Sequence, residues 1–308
     1  MKITKSLRQI IKWFVPFGII EYRYKKSGRL NAERIQKGND IAIYFKNLDR
    51  DNQDPEIVKI IEYLERNQCS MYPYEFTKKC FSENIVIYMD KICKMNYVLH
   101  ENKRMYFPKN WEANQIREYY NWLLMEQDVD SPHRYDTAVF RVQEGDVIAD
   151  LGTAEGFFAL SNVEKAKKIY LFECDNKWLR ALKKTFEPWQ EKVSIVNKYI
   201  SDTTSKNYIT LDDFLDGKEI NFIKADIEGA EIALLRGAKK TLLNQKKLQF
   251  SLCTYHRQND AEEINQILTQ NGFTTEYSKG YIITIFDRDS KEPYLRRGII
   301  RAKNNESI

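Results

Sequence analysis

From Val147 to Gly156 the chain reads Val-Ile-Ala-Asp-Leu-Gly-Thr-Ala-Glu-Gly, an apolar strand followed by acids and two glycines where a strand would turn into a helix. Gly152 and Gly156 permit a tight turn and let a ligand approach the backbone. The spacing Asp-x-Gly-x-x-x-Gly differs from the Gly-x-Gly-x-x-Gly that cradles a pyrophosphate. Asp150 and Glu155 would also repel phosphate at the start of the next helix, so the turn suits a cationic ligand.

S-adenosylmethionine is such a ligand, because it carries an amino group and a sulfonium where a dinucleotide carries phosphates. Twenty-one residues after Gly152, Glu173 stands at the end of the next expected strand, in Tyr170-Leu-Phe-Glu-Cys-Asp175. A carboxylate there can accept both ribose hydroxyls. A strand-end Glu on its own could equally be solvated or cap a helix, and it is the glycine turn at this spacing that points to the ligand. Asp175 reads as the cap of the following helix.

A third strand end, Asn221-Phe-Ile-Lys-Ala-Asp-Ile-Glu-Gly-Ala-Glu231, brings Lys224, Asp226 and Glu228 to the same rim beside a glycine. Asp226 and Glu228 could also serve only as caps of the next helix. A fourth delivers Thr254-Tyr-His-Arg257, and His256 is the best placed of three histidines to take a proton from a hydroxyl. The expected chemistry is methyl transfer to oxygen, with His256 or Asp226 as base and alignment of the reacting groups as the larger contribution. Phe157, Tyr135 and Tyr255 offer faces for a cation, although each could equally fill the core. Asp226, Glu228 and His256 could alternatively hold a divalent cation, as in catechol-type methyltransferases; the reading favours no metal.

The elements that must position these residues follow from periodicity. From Val142 onward strands and helices alternate: 146–150, 168–173, 193–199, 222–226 and 248–253 as strands, and 157–163, 177–185, 211–215, 231–243 and 261–269 as helices. That order predicts an α/β fold with a parallel sheet covered on both faces. Two alternating segments, 280–286 and 298–302, suggest a hairpin at one sheet edge, and the tail after residue 302 should fray. Before the sheet come helical patterns between 31 and 67, a three-stranded meander near 85–88, 96–100 and 104–107, and a helix at 112–126.

At these residues the sequence resembles the FkbM-type class I S-adenosylmethionine-dependent methyltransferases, over roughly Ser131 to Lys303. The resemblance rests on Ser131-Pro-His-Arg-Tyr135, Asp150-x-Gly-x-x-x-Gly156, Phe172-Glu173, Ile200-Ser-Asp202, Thr210-Leu-Asp-Asp-Phe214, Ile223-Lys-Ala-Asp-Ile-Glu-Gly-Ala-Glu231 and Tyr255-His256. It departs from the family pattern at Thr153 and Ala154. The resemblance implies a Rossmann-like seven-stranded sheet and transfer to a hydroxyl, often of a sugar or polyketide. It places Gly152 and Gly156 beside the methionine moiety, Glu173 on the ribose, Ser201 and Asp202 at the adenine, and Asp226 at the reaction centre; Asp150, Thr153, Glu155 and Phe157 are expected in the same cofactor site. His133, Tyr135, Lys224 and Tyr255 are then expected on the acceptor side. Such enzymes serve bacterial surface-polysaccharide pathways, which implies a saccharide or lipid-linked glycan as acceptor.

Composition narrows the alternatives. The chain has 308 residues, 43% hydrophobic and 13% aromatic, with 12 Gly and 7 Pro, which excludes global disorder and low-complexity architecture. Residues 1–26 hold seven basic side chains and one acid, a balance of +6, so the net +5 leaves −1 for the rest. A nucleic-acid partner would need a basic folded domain and is not expected. The basic arm carries Ile3, Leu7, Ile10, Ile11 and Phe14 on one helical face, which suits either docking on the protein itself or an anionic membrane surface. Five widely spaced cysteines without a C-x-x-C pair argue against disulfides or structural zinc, and the apolar run at 13–20 is too short to span a bilayer. A cytoplasmic protein, with the arm peripheral on the inner membrane face, is the expectation. The organisation expected is an arm at 1–30, a helical and meander region at 31–130, a methyltransferase domain at 131–303 and a tail at 304–308.

Overall fold

The computed structural model describes residues 28–79, 81–285, 287 and 290–304. The amphipathic segment expected at 3–14 lies outside them. Two helices come first, α1 (Gly28–Lys46) and α2 (Pro55–Leu64), followed by an antiparallel meander of β1 (Tyr88–Asp90), β2 (Met95–His100) and β3 (Lys103–Tyr106), then α3 (Ala113–Glu126). Asp54 caps α2 by accepting the Glu56 N–H at 2.8 Å, with Pro55 at the first helical position where its missing N–H costs nothing.

The alternating part follows as β4 (Val147–Leu151), α4 (Phe157–Asn162), β5 (Lys168–Phe172), α5 (Asn176–Thr185), β6 (Val193–Val196), the two-residue strands β7 (Tyr199–Ile200) and β8 (Tyr208–Ile209), α6 (Leu211–Leu215) and β9 (Phe222–Ala225). It continues with α7 (Glu231–Arg236), α8 (Lys239–Asn244), β10 (Gln249–Cys253), α9 (Asp260–Gln270), β11 (Phe273–Tyr277), β12 (Ile282–Ile283), β13 (Leu295–Arg296) and β14 (Ile299–Asn304). The seven-stranded sheet runs β11-β14-β10-β9-β4-β5-β6, parallel from β6 through β10, with β14 antiparallel to both its neighbours. This is the Rossmann-like α/β sheet that the sequence led us to expect. The chain leaves β4 toward β5 and β6, then returns to place β9 on its other side. The crevice at the carboxyl ends of β4 and β9 is therefore the point where the winding reverses, the place where open α/β sheets take ligands.

Every side chain of β4 and β9 is buried, as it must be in strands covered on both faces. One face packs on Leu211, Leu234, Leu235, Ile264 and Leu268 from α6, α7 and α9. The other packs on Phe158, Trp178 and Leu182, and that same cluster takes in Met95, Val98, Met105, Phe107 and Tyr119 from the meander and α3. One hydrophobic core thus runs across the expected boundary at 130/131. A third cluster joins Ile41, Phe45, Ile60 and Ile61 of α1 and α2 to Ile283, Ile285 and Leu295, so the N-terminal helices sit on the β12–β13 excursion.

Several expectations need correction. The edge partner of β14 is β11, whose alternation Phe-Thr-Thr-Glu-Tyr is too polar to stand out; the 280–286 segment gives only β12, paired with β13 outside the main sheet. The single helix expected at 231–243 breaks at Gly237, where a Cβ would sit 2.3 Å from the Ser201 carbonyl oxygen. Asp212 then caps α8 by accepting the Lys240 and Thr241 N–H groups at 2.8 Å. Lys303 and Asn304 belong to β14, and Asn304 Oδ1 accepts the Leu248 N–H at 2.9 Å. No helix among the described residues is long and apolar enough to cross a membrane.

Candidate functional site

The turn after β4 is shaped by protein contacts. Gly152 (φ 72°), Ala154 (φ 49°) and Gly156 (φ 89°) lie in the left-handed region. A Cβ on Gly152 would stand 1.9 Å from the Asp226 carbonyl oxygen, and one on Gly156 2.8 Å from the Phe186 ring. Both glycines are thus required for packing as well as for the turn itself. Thr153 Oγ1 donates to the Asp150 carbonyl at 2.7 Å, which closes the turn.

The two acids of the turn are buried among protein groups. Asp150 is buried and pairs with Lys224 Nζ at 3.1 Å, and Lys224 also donates to the Gly152 carbonyl at 2.8 Å. Burial opposes the charge on Lys224, but Asp150 and Asp226 outweigh it and hold its pKa above the usual lysine value. Asp150 and Lys224, expected at cofactor and acceptor, therefore act as an internal brace between β4 and β9. Glu155 is likewise buried, accepting from the Tyr119 hydroxyl at 2.6 Å and the Phe157 N–H at 3.3 Å. Burial pushes its carboxyl up to about 7, with the Tyr119 bond pulling the other way. Phe157 packs on His100 at 4.1 Å between ring centroids, under the meander.

Glu173 is placed differently. At the end of β5 its Oε2 accepts the Ala154 N–H at 2.7 Å and its Oε1 the Asp175 N–H at 2.6 Å, so the carboxylate is fixed against the glycine turn. Asp175 caps α5 through the Lys177 N–H at 3.0 Å. A carboxylate offers about four acceptor positions, so Glu173 keeps acceptor capacity for a hydroxyl donor. Ser201 and Asp202 follow β7 near the end of β6; the Ser201 hydroxyl donates to Asp202 Oδ1 at 3.3 Å, and Asp202 is exposed. This donor set fits S-adenosylmethionine: an oriented carboxylate for ribose hydroxyls, and a crevice whose anionic groups suit a sulfonium and an ammonium.

The rim after β9 gathers the remaining residues. Asp226 Oδ2 accepts from the Tyr135 hydroxyl at 3.0 Å, and Oδ1 from the Tyr255 hydroxyl at 3.4 Å. His256 Nε2 lies 3.2 Å from Asp226 Oδ1 and 3.7 Å from Glu228 Oε2, while its Nδ1 lies 3.1 Å from Glu231 Oε1. The Asp226 side chain is 22% exposed and that of Glu228 33%, against 6% for His256. Burial works against the Asp226 charge, but His256 and Lys224 hold the carboxyl well below the usual carboxylate range. Burial also opposes charge on His256, yet Glu231, Asp226 and Glu228 raise it well above the usual histidine value. The surrounding carboxylates favour the protonated ring, and of the two expected bases Asp226 is the more exposed. Burial, with Asp226 and Glu231 adding to it, pushes Glu228 up to about 8 in spite of His256.

His133 is fully buried, its Nε2 3.1 Å from the Tyr255 hydroxyl and 3.7 Å from Asp226 Oδ2. Burial pulls it down to about 4, so it is neutral. It orients Tyr255 and Asp226 from behind and does not reach an acceptor. Tyr135 and Tyr255 are themselves mostly buried and act on Asp226 through their hydroxyls.

Two carboxyls were missed. Glu231 is fully buried, accepts the Ile227 N–H at 3.0 Å, and backs the imidazole. Glu126, at the end of α3, accepts from the Trp122 indole and lies 3.4 Å from the Tyr72 hydroxyl; burial, with Asp226 adding to it, lifts it to about 8. A signal existed for Glu126: it falls four residues after Trp122 and seven after Tyr119, on the aromatic face of the helix.

Residues 152–275 match the family model described as the methyltransferase FkbM domain. No curated protein matches the chain. Among solved structures, a precorrin-6y C5,15-methyltransferase from Geobacter metallireducens is 13% identical, with 54% of this chain and 83% of that one covered and a TM-score of 0.38. A putative S-adenosylmethionine-dependent methyltransferase from Listeria monocytogenes is 17% identical, covering 53% and 91% at a TM-score of 0.36. A putative transferase from Pyrococcus horikoshii is 10% identical, covering 68% and 71% at 0.41.

Proposed function

We propose that this chain, which carries an S-adenosylmethionine-dependent methyltransferase domain of the FkbM type, transfers a methyl group to a hydroxyl oxygen of a saccharide. The observation that carries the reading is the Asp226 carboxylate, ionised, partly exposed, and held by Tyr135, Tyr255 and His256 at the strand end that touches the glycine turn. S-adenosylmethionine, when bound, supplies an electrophilic methyl on a sulfonium. Glu173 would hold its ribose hydroxyls, and Ser201 and Asp202 its adenine.

An alcohol oxygen that gains a methyl group becomes a protonated ether, a far stronger acid than any carboxylic acid. Asp226 is therefore basic enough to take that proton although its neighbours depress its pKa. His256, set between Asp226 and Glu231, orients the Asp226 carboxylate. Glu228, partly exposed beside Asp226, adds a second hydrogen-bonding carboxyl to this rim, which matches the hydroxyls of a neutral polyol. The basic arm of residues 1–26 favours an acceptor held at an anionic membrane surface, such as a lipid-linked glycan on the cytoplasmic face.

The test is release of S-adenosylhomocysteine with a panel of free and lipid-linked glycans. Asp226→Asn should lower kcat by about 10² to 10⁴ with the KM for the methyl donor nearly unchanged. Full turnover in Asp226→Asn would remove Asp226 from the chemistry, and methylation of amines but of no hydroxyl would remove the oxygen acceptor.

A further inference from the structure

We propose that the turn between β1 and β2 docks the folded body on an anionic bilayer, with Ile92 entering the lipid interface between Lys91 and Lys94. Among the described residues twelve large hydrophobic side chains are exposed, and six of them fall within residues 81–99. Ile92 is the most exposed of the twelve at 94%, with Val86 at 60% and Met89 at 57% just before it. Exposed apolar residues scattered singly are ordinary on a protein surface, whereas a group gathered on one hairpin marks an interaction site.

The local structure holds Ile92 outward. Asp90 Oδ1 accepts the Ile92 N–H at 2.9 Å and the Cys93 N–H at 3.2 Å, and the Lys94 N–H donates to the Asp90 carbonyl at 2.8 Å. Asp90 Oδ2 in turn accepts from the Tyr106 hydroxyl of β3 at 2.8 Å, which ties the turn to the rest of the meander. A turn fixed in this way presents Ile92 to water at a hydration cost that a partner surface would recover. β1 is the outer strand of the meander and pairs only with β2, so no further described strand covers this side.

Charge decides which partner fits. Lys91 and Lys94 flank Ile92 and are both exposed. Residues 86–109, which span the meander, hold five basic and two acidic side chains, a balance of +3, whereas the chain beyond the basic arm sums to −1. Both acids are engaged, Asp90 within the turn and Glu101 with Lys103 at 3.0 Å. Lysine is depleted from the centres of protein–protein contacts, so a second protein surface is the poorer match. At a bilayer the same pattern is favourable: the apolar tip reaches the acyl boundary, and the lysine stems extend back to the headgroups. Each ammonium near an anionic surface strengthens binding about fivefold. This surface belongs to the folded body, is separate from the arm at 1–26, and does not depend on the methyltransferase reading.

The experiment sediments the full chain with vesicles of phosphatidylcholine, with and without phosphatidylglycerol. Wild type is expected to bind the anionic vesicles, and Ile92→Asp to bind them at least about tenfold more weakly. Ile92→Trp, which keeps an interfacial side chain, should bind at least as well as wild type. Lys91→Gln/Lys94→Gln should lose about tenfold or more on the anionic vesicles and little on the neutral ones. The substituted side chains are exposed, so the variants should fold as wild type does, which circular dichroism checks. No binding by wild type would overturn the proposal, and equal binding by wild type and Ile92→Asp would overturn it by assigning the membrane contact to residues 1–26. A dimer in sedimentation equilibrium that Ile92→Asp splits, without vesicle binding, would overturn it in favour of a second copy of this chain.

Discussion

The turns after β4 and β9 are both strand-to-helix turns rich in acids, both lie at the point where the sheet reverses its winding, and they touch each other through Gly152 and Asp226. Their acids are handled in opposite ways. After β4, Asp150 is matched by Lys224 and Glu155 by the Tyr119 hydroxyl, both inside the protein. After β9, Asp226 and Glu228 are partly exposed, and Asp226, Glu228 and Glu231 share a single imidazole. Carboxyls satisfied inside the protein build a scaffold; a carboxylate partly exposed at an open rim, as Asp226 is, is available for chemistry. The presence of acids in a motif does not distinguish the two, and their burial and partners do.

Breaking the scaffold side should cost stability first. Lys224→Met leaves Asp150 buried and unpaired, with an expected loss of about 3–5 kcal/mol in denaturant unfolding. The double variant Asp150→Leu/Lys224→Met should recover most of that; no recovery would mean that Lys224 matters for Asp226 and not for Asp150. Gly152→Ala combines a left-handed backbone with a Cβ driven into the Asp226 carbonyl, an expected cost of roughly 2–4 kcal/mol. Because it presses the two turns apart, it should also impair turnover, and a stable, fully active Gly152→Ala would break the contact between them.

A smaller effect belongs to the meander that roofs the β4 turn. His100 is buried between the Tyr120 hydroxyl at 3.0 Å and Ser161 Oγ at 2.7 Å, and burial lowers it to about 4. The folded state holds it neutral while the unfolded chain protonates near pH 6.5. Its contribution is therefore fully present above pH 6.5 and lost as pH falls toward 4, up to about 3 kcal/mol over that window. Unfolding free energies measured from pH 7 to 4 should flatten in His100→Gln; an unchanged slope would assign the acid sensitivity elsewhere.

The sequence made the strand-end residues legible because their roles are local. Gly152, Glu173 and Asp226 each sit at a turn whose chemistry is set within a few residues, and all three stand in the same crevice. The pairing of Asp150 with Lys224 was not legible because the partners of each lie more than seventy residues away. The burial of His133 was not legible for the same reason, since Tyr255, which meets its ring, follows 122 residues later. The break at Gly237 is equally non-local, being set by the Ser201 carbonyl. β11 escaped because its polar alternation gives an edge strand little hydrophobic signal. The meander and α3 were seen as elements, but that they share a core with the sheet domain follows only from packing.

The central claim is that the crevice beside Glu173 takes S-adenosylmethionine while Asp226 serves the reaction. Calorimetric titration of wild type, Glu173→Ala and Asp226→Asn with S-adenosylhomocysteine tests it most directly. Saturable binding by wild type is predicted, weakened about 10- to 100-fold in Glu173→Ala, as loss of charge-assisted hydrogen bonds requires, and within a few-fold of wild type in Asp226→Asn. No binding by the folded wild type, or undiminished binding in Glu173→Ala, would contradict it.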